Sequence, residues 1–93
     1  MIINYEELLG KLISHSENIL QNGELSEVKH YYEHDEYEMA LEGLLIELIS
    51  TGKYPVDFKY SEWEEIVIHY GLNTESVFDG DIWNKFALWG KSR

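Results

Sequence analysis

Tyr37, Leu41, Leu44, Leu45, Leu48 and Ile49 fall three, four and seven residues apart, the spacing of one helical face. This segment constrains the fold most. The triplet Leu44-Leu45-Ile46 makes it apolar on more than one side, which predicts a central helix covered by several neighbours. Asp35 is placed to cap it, Glu38 occupies the capping-box position, and Thr51-Gly52 reads as its end. The rest of the chain supplies the cover. A first helix is expected from Asn4, its cap, with Glu7 completing a capping box. Tyr5, Leu8, Leu9, Leu12, Ile13 and Leu20 form its apolar side, and Asn22-Gly23 reads as its stop. Gly10 lies on this helix, where it would let a neighbour approach closely.

A short second helix is expected from Glu24 or Leu25 to about Tyr32, with Leu25, Val28 and Tyr32 as a thin apolar stripe. A fourth starts at Ser61, with Glu64 at the capping-box position, and ends at Gly71; Trp63, Ile66, Val67 and Tyr70 face inward. A last helix runs from about Asp79 to Trp89, with Ile82, Phe86 and Trp89 inward and Trp83 beside them. Between the third and fourth helices, Tyr54, Val56, Phe58 and Tyr60 alternate with other residues after the period of a strand. No partner strand occurs elsewhere, so residues 53–60 are read as an extended linker whose aromatics pack over the bundle. The expectation is an all-α, single-domain bundle of four to five short helices spanning residues 1–93.

A chain of this size buries roughly 60–65% of its unfolded surface, enough to fold without staples. The absence of cysteine agrees with that and excludes a disulfide scaffold or a cysteine-based zinc site. The start of the chain lacks a basic segment followed by an apolar one, and no apolar run approaches the ~20 residues of a membrane span. A soluble, cytoplasmic protein with no membrane association is expected.

Charge is the clue to function. The net charge is −11. Residues 1–52 hold eleven acids and two lysines, giving −9, and residues 53–93 hold seven acids and five bases, giving −2. Between positions 24 and 47 eight carboxylates (Glu24, Glu27, Glu33, Asp35, Glu36, Glu38, Glu42, Glu47) face one cation, Lys29. An ordinary solvated helix face mixes both signs. Part of the run has local work at helix starts, where the macrodipole favours acids: Glu24, Asp35, Glu36 and Glu38. Glu27, Glu33, Glu42 and Glu47 have no such duty, and Tyr31 stands among them. Glu38 and Glu42, four apart, are expected to line a side opposite the leucine stripe. This composition argues against direct nucleic-acid binding, which needs clustered Lys and Arg. It favours a basic protein partner gripped by tyrosine and carboxylate. The candidate partner-binding residues are Glu27, Tyr31, Glu33, Asp35, Glu36, Glu38, Glu42 and Glu47.

Catalysis has little behind it. The serines lack a Gly-rich elbow, the glycines build no phosphate loop, and paired carboxylates are too plentiful for any one pair to be specific. No enzyme activity and no cofactor are expected. His30 and His34 stand four apart with acids nearby, which suits a metal only if one helix continues through both. Asp35 as a new cap argues for a break there, so no metal site is assigned. The three tryptophans and ten other aromatics leave room for an exposed apolar patch on the C-terminal helices.

The stretch VKHYYEHDEYEMALEGLLIEL, residues 28–48, resembles the core motif of small bacterial immunity proteins of polymorphic toxin systems, of the MafI and contact-dependent growth inhibition types. The shared element is a short helix, a His-acid-Glu-aromatic-Glu turn and an Ala-Leu-Glu helix. Here it is His34, Asp35, Glu36, Tyr37, Glu38, Ala40, Leu41 and Glu42, in a quarter of the chain. The resemblance implies a non-enzymatic inhibitor of a toxin domain, commonly an RNase or DNase whose active site is basic because it binds phosphate. It does not say which positions touch the toxin. The residues themselves also admit an acidic adaptor or nucleic-acid mimic acting on a DNA- or RNA-binding protein, and a small metal-binding protein.

Overall fold

A computed structural model describes residues 2–93, and its described residues form five α-helices and no strand. They are α1 (Tyr5–His15), α2 (Asn22–Glu33), α3 (Tyr37–Thr51), α4 (Tyr60–His69) and α5 (Ile82–Lys91). The architecture is the expected all-α bundle. α3 is its axis: Ala40, Leu41, Leu44, Leu45 and Leu48 have no exposed surface. α3 packs against α1, α2 and α5, which is why a helix apolar on several sides is stable there. The Cα radius of gyration, 12.0 Å, is that of a compact domain of this length.

Helix ends explain most departures from the expected boundaries. The Asn4 side chain accepts from the Glu7 amide at 3.1 Å, starting α1 as expected. α1 stops at His15, earlier than its apolar spacing suggested. The buried Ser16 hydroxyl donates to the Leu12 carbonyl at 2.9 Å, and a turn then delivers Leu20 to the core. Asn22-Gly23 is not a stop. It forms the first turn of α2, where the Glu24 carboxylate accepts from the Gln21 amide at 2.7 Å.

Asp35 is not an N-cap either. It adopts φ 60° just past α2, while the Glu36 amide reaches back to the Tyr31 carbonyl at 2.9 Å and the Asp35 amide to Tyr32 at 3.3 Å. This is a Schellman ending with aspartate where glycine usually stands, and a short polar side chain tolerates that conformation. Gly71, with φ 77°, closes α4 in the same way, and Leu72 is buried behind it. α4 begins at Tyr60, one residue before Ser61, and has no side-chain cap. α5 begins at Ile82, after the expected Asp79, and runs on to Lys91.

Two glycines mark close approaches. A Cβ on Gly10 would lie 2.6 Å from the Tyr32 hydroxyl, which donates to the Glu6 carbonyl at 2.9 Å and ties α2 to α1. A Cβ on Gly90 would strike the Tyr60 ring, which stacks on Phe86 with centroids 5.1 Å apart. The linker behaves as its alternation implied, without a strand. Tyr54 stacks on Trp89 at 5.0 Å and donates to the Trp89 carbonyl at 2.5 Å, while the Trp89 indole donates to the Lys53 carbonyl at 3.2 Å. Phe58 lies edge-on to Trp89 at 5.0 Å. Trp63 and Trp89 are therefore core residues, whereas Trp83 is half-buried and Leu88, on α5, is exposed.

Candidate functional site

The acidic stretch is divided by the fold into two hollows and one buried carboxylate. The first hollow, about 170 Å³, lies between α2 and α3. Val28, Gly43 and Ile46 form its floor, Tyr31 and Phe78 its walls, and Glu24, Glu27 and Glu47 its rim. α2 delivers Glu24, Glu27 and Tyr31 to one side because they are three and four residues apart, and α3 delivers Gly43 and Glu47 by the same spacing. The Tyr31 hydroxyl donates to the Glu27 carboxylate at 3.0 Å, and this bond holds the phenol pKa above its ordinary value. The ring lies 6.0 Å from Phe78. Burial, and then the neighbouring Glu24 and Glu27 charges, push the Glu47 carboxyl above the usual carboxylate range. Three acids thus share a site in which adding a cation relieves repulsion.

The second hollow, about 280 Å³, lies at the start of α3. Asp35, Glu36 and Glu38 provide its acids, with Tyr37, Tyr70 and Val77 around them. The Tyr37 hydroxyl donates to Asp35 at 2.9 Å, which raises the pKa of the phenol. Asp35 is therefore a turn residue and a rim acid together.

Among the described residues, no Lys, Arg or His lies within ion-pair distance of any of the eight acids between positions 24 and 47. Lys29 reaches away from them to Glu17 at 3.8 Å. Glu33 is exposed but borders neither hollow. Tyr31 and Glu47 are half-buried, and Glu27, Asp35, Glu36 and Glu38 are exposed.

Glu42 requires a correction, because it is wholly buried and cannot touch a partner. It does not share an outward side with Glu38. Its carboxylate accepts from the backbone amides of Val77, Phe78 and Asp79 at 2.6, 3.0 and 2.7 Å. The α4–α5 connection folds back over α3 and covers that position. Three charge-assisted bonds replace the lost hydration of the carboxylate. The clue available in the sequence was helical position: Glu42 sits three, four and seven residues before Leu45, Ile46 and Ile49, inside the apolar arc of a helix buried all round. Sequence reasoning also missed Val77 and Phe78, which carry no charge or motif, and treated Glu24 only as a cap.

His30 and His34 come within 4.3 Å, ring centroid to ring centroid, at the end of α2. His34 is committed locally, its Nδ1 lying 2.8 Å from the His30 carbonyl. Among the described residues no three acidic or histidine side chains converge as they would around a metal ion. No described helix is long and apolar enough to cross a membrane. No family model, no curated protein and no solved structure matches the chain.

Proposed function

We propose that this protein is a non-enzymatic inhibitor that binds a basic protein domain through the acidic α2–α3 surface, in the manner of an immunity protein neutralising a nuclease toxin in the cytoplasm. The observation that carries this reading is the set of surface acids on α2 and α3 left without cations around two hollows. Unpaired like charges weaken a small fold by self-repulsion, so their retention calls for a compensating partner. A nuclease active site is basic because it must hold phosphate, and an acidic surface of matching shape competes with the substrate for it. Aromatic walls beside the carboxylates add the stacking and cation–π contacts that favour arginine. The stretch that resembles the immunity motif, residues 28–48, includes Tyr31, Asp35, Glu36, Glu38 and Glu47 of this surface, while its Ala40, Leu41 and Glu42 are buried.

Co-expression with a basic nuclease toxin domain, scored by cell survival, tests the reading. Rescue by the wild-type chain, lost when Glu24, Glu27 and Glu47 are all changed to glutamine, is the expected result. Death in the presence of the wild-type chain counts against an immunity role for that pair.

A further inference from the structure

Val77 and Phe78 are neighbouring apolar residues, 46% and 49% exposed; Ile2, Val56, Ile68 and Leu88 are as exposed or more so, but none of them borders an acidic hollow. The position of Val77 and Phe78 is enforced. The amides of residues 77, 78 and 79 all converge on the buried Glu42 carboxylate, so the backbone here turns its donors inward. Successive amides aimed at one anion form a nest, which fixes the backbone that carries both side chains. A second tie holds the far end: Asp79 accepts from Lys85 at 2.7 Å and from the Asp81 amide at 2.9 Å. Burying a carboxylate with no cation is expensive, and a connection between two helices does not require it. What the arrangement provides is a fixed apolar tip.

The position of the tip gives its partner. Phe78 forms a wall of the first acidic hollow and Val77 a wall of the second. An apolar centre between two acidic rims has the anatomy of an interaction hot spot, in which desolvated apolar contact supplies affinity and surrounding charge selects the ligand. We propose that Val77 and Phe78 are the apolar centre of the binding surface, held out by Glu42 as a positioning residue, and that the occupant is a protein segment with an apolar side chain flanked by arginines or lysines. The proposal rests on the basic-partner reading and specifies which residues of the partner matter. Charge complementarity to two separate acid groups requires cations on both sides of the apolar residue.

The probe is an amidated peptide with Arg-Leu-Arg at its centre and Ser-Gly flanks, compared at low salt with the same peptide carrying Arg-Gly-Arg. Binding is followed by amide chemical shifts. The leucine peptide is expected to bind about fivefold more tightly, the value of partly burying one leucine. Shifts should concentrate at residues 77–79, Tyr31 and Ile46. Phe78→Ser, a surface change, should abolish the preference for the leucine peptide over the glycine peptide. Glu42→Gln should speed amide exchange at residues 77–79, reduce the same preference, and add nothing in a Phe78→Ser background. Equal affinity for the two peptides, or a preference that survives Phe78→Ser, overturns the tip while leaving a basic partner in place. Failure of both peptides to bind overturns the basic-partner reading as well.

Discussion

In residues 53–93 three of the five cations, Lys85, Lys91 and Arg93, make contacts within the molecule, whereas the acids between positions 24 and 47, the buried Glu42 apart, lie at the surface without a cation among the described residues. In the C-terminal half Lys91 lies over the Tyr60 ring at 5.7 Å, and Arg93 lies over Tyr54 and Phe58 at 5.7 and 5.9 Å. Arg93 also donates to the Phe58 carbonyl at 3.1 Å, and Lys85 pairs with Asp79. Aromatic packing and these cations tie the linker, α4 and α5 together. In the N-terminal half the eight carboxylates between positions 24 and 47 have no such counterpart, and the only lysine among them turns elsewhere. The difference separates two tasks. One region is organised to hold the molecule together, and the other carries, beside the anchoring Glu42 and the capping Glu24, surface charge that no cation among the described residues pairs with.

The separation breaks first if the aromatic half proves dispensable. Trp63 is 1% exposed, and Trp63→Ala should lower stability by about 3–5 kcal/mol, read from urea unfolding. That is a large part of the ~5–15 kcal/mol of a typical domain. An unchanged midpoint would show that the stability resides elsewhere. Glu42 is the exception among the acids, because it serves the fold. Glu42→Ala strands three part-buried amides and should cost about 3 kcal/mol, whereas removing a surface acid such as Glu33 should cost nothing measurable. Equal effects at the two positions would erase the distinction between a buried anchor and a free acid. Gly90→Ala drives a Cβ into the Tyr60 ring and should cost about 1–3 kcal/mol, with the Tyr60–Phe86 stack visibly disturbed in aromatic spectra.

The smallest effect sharpens the comparison through pH. The Glu47 carboxyl has its pKa raised above the ordinary 4.5, by burial first and by Glu24 and Glu27 next. Between that ordinary value and the raised one, the folded protein binds the proton more tightly than the unfolded chain. Stability from this group is therefore present at low pH and declines as pH rises through the window. Glu47→Gln should remove that decline and slightly raise Tm at neutral pH. A lower Tm for the variant at neutral pH would mean that the ionised carboxylate is stabilising, contrary to the account.

Legibility in the sequence followed the range of the interactions. All five helices could be anticipated because each carries its own apolar period, and α3 announced its central place through Leu44-Leu45-Ile46. The errors lie where one residue type serves two geometries. Asp35 could cap a helix or end one, and the Schellman bonds of Glu36 and Asp35 chose the ending. Asn22-Gly23 could stop α1 or open α2, and the bond between Gln21 and Glu24 opens α2. For the site, composition identified the acidic stretch but could not divide it. That division depends on a connection 35 residues along the chain from Glu42 folding back onto it, a long-range event with no local signature. Phe78 and Val77 acquire their place only through that fold.

The most direct test is the rate at which this protein captures the basic domain it is proposed to inhibit, measured from low to physiological salt. Screening shortens the reach of charge to about 8 Å at physiological ionic strength, so a surface that recruits its partner electrostatically should lose speed as salt is added. The account predicts a fall of roughly tenfold or more, and a slow, nearly salt-independent rate when Glu24, Glu27 and Glu47 are replaced by glutamine. A wild-type rate that is the same at low and high salt would contradict it.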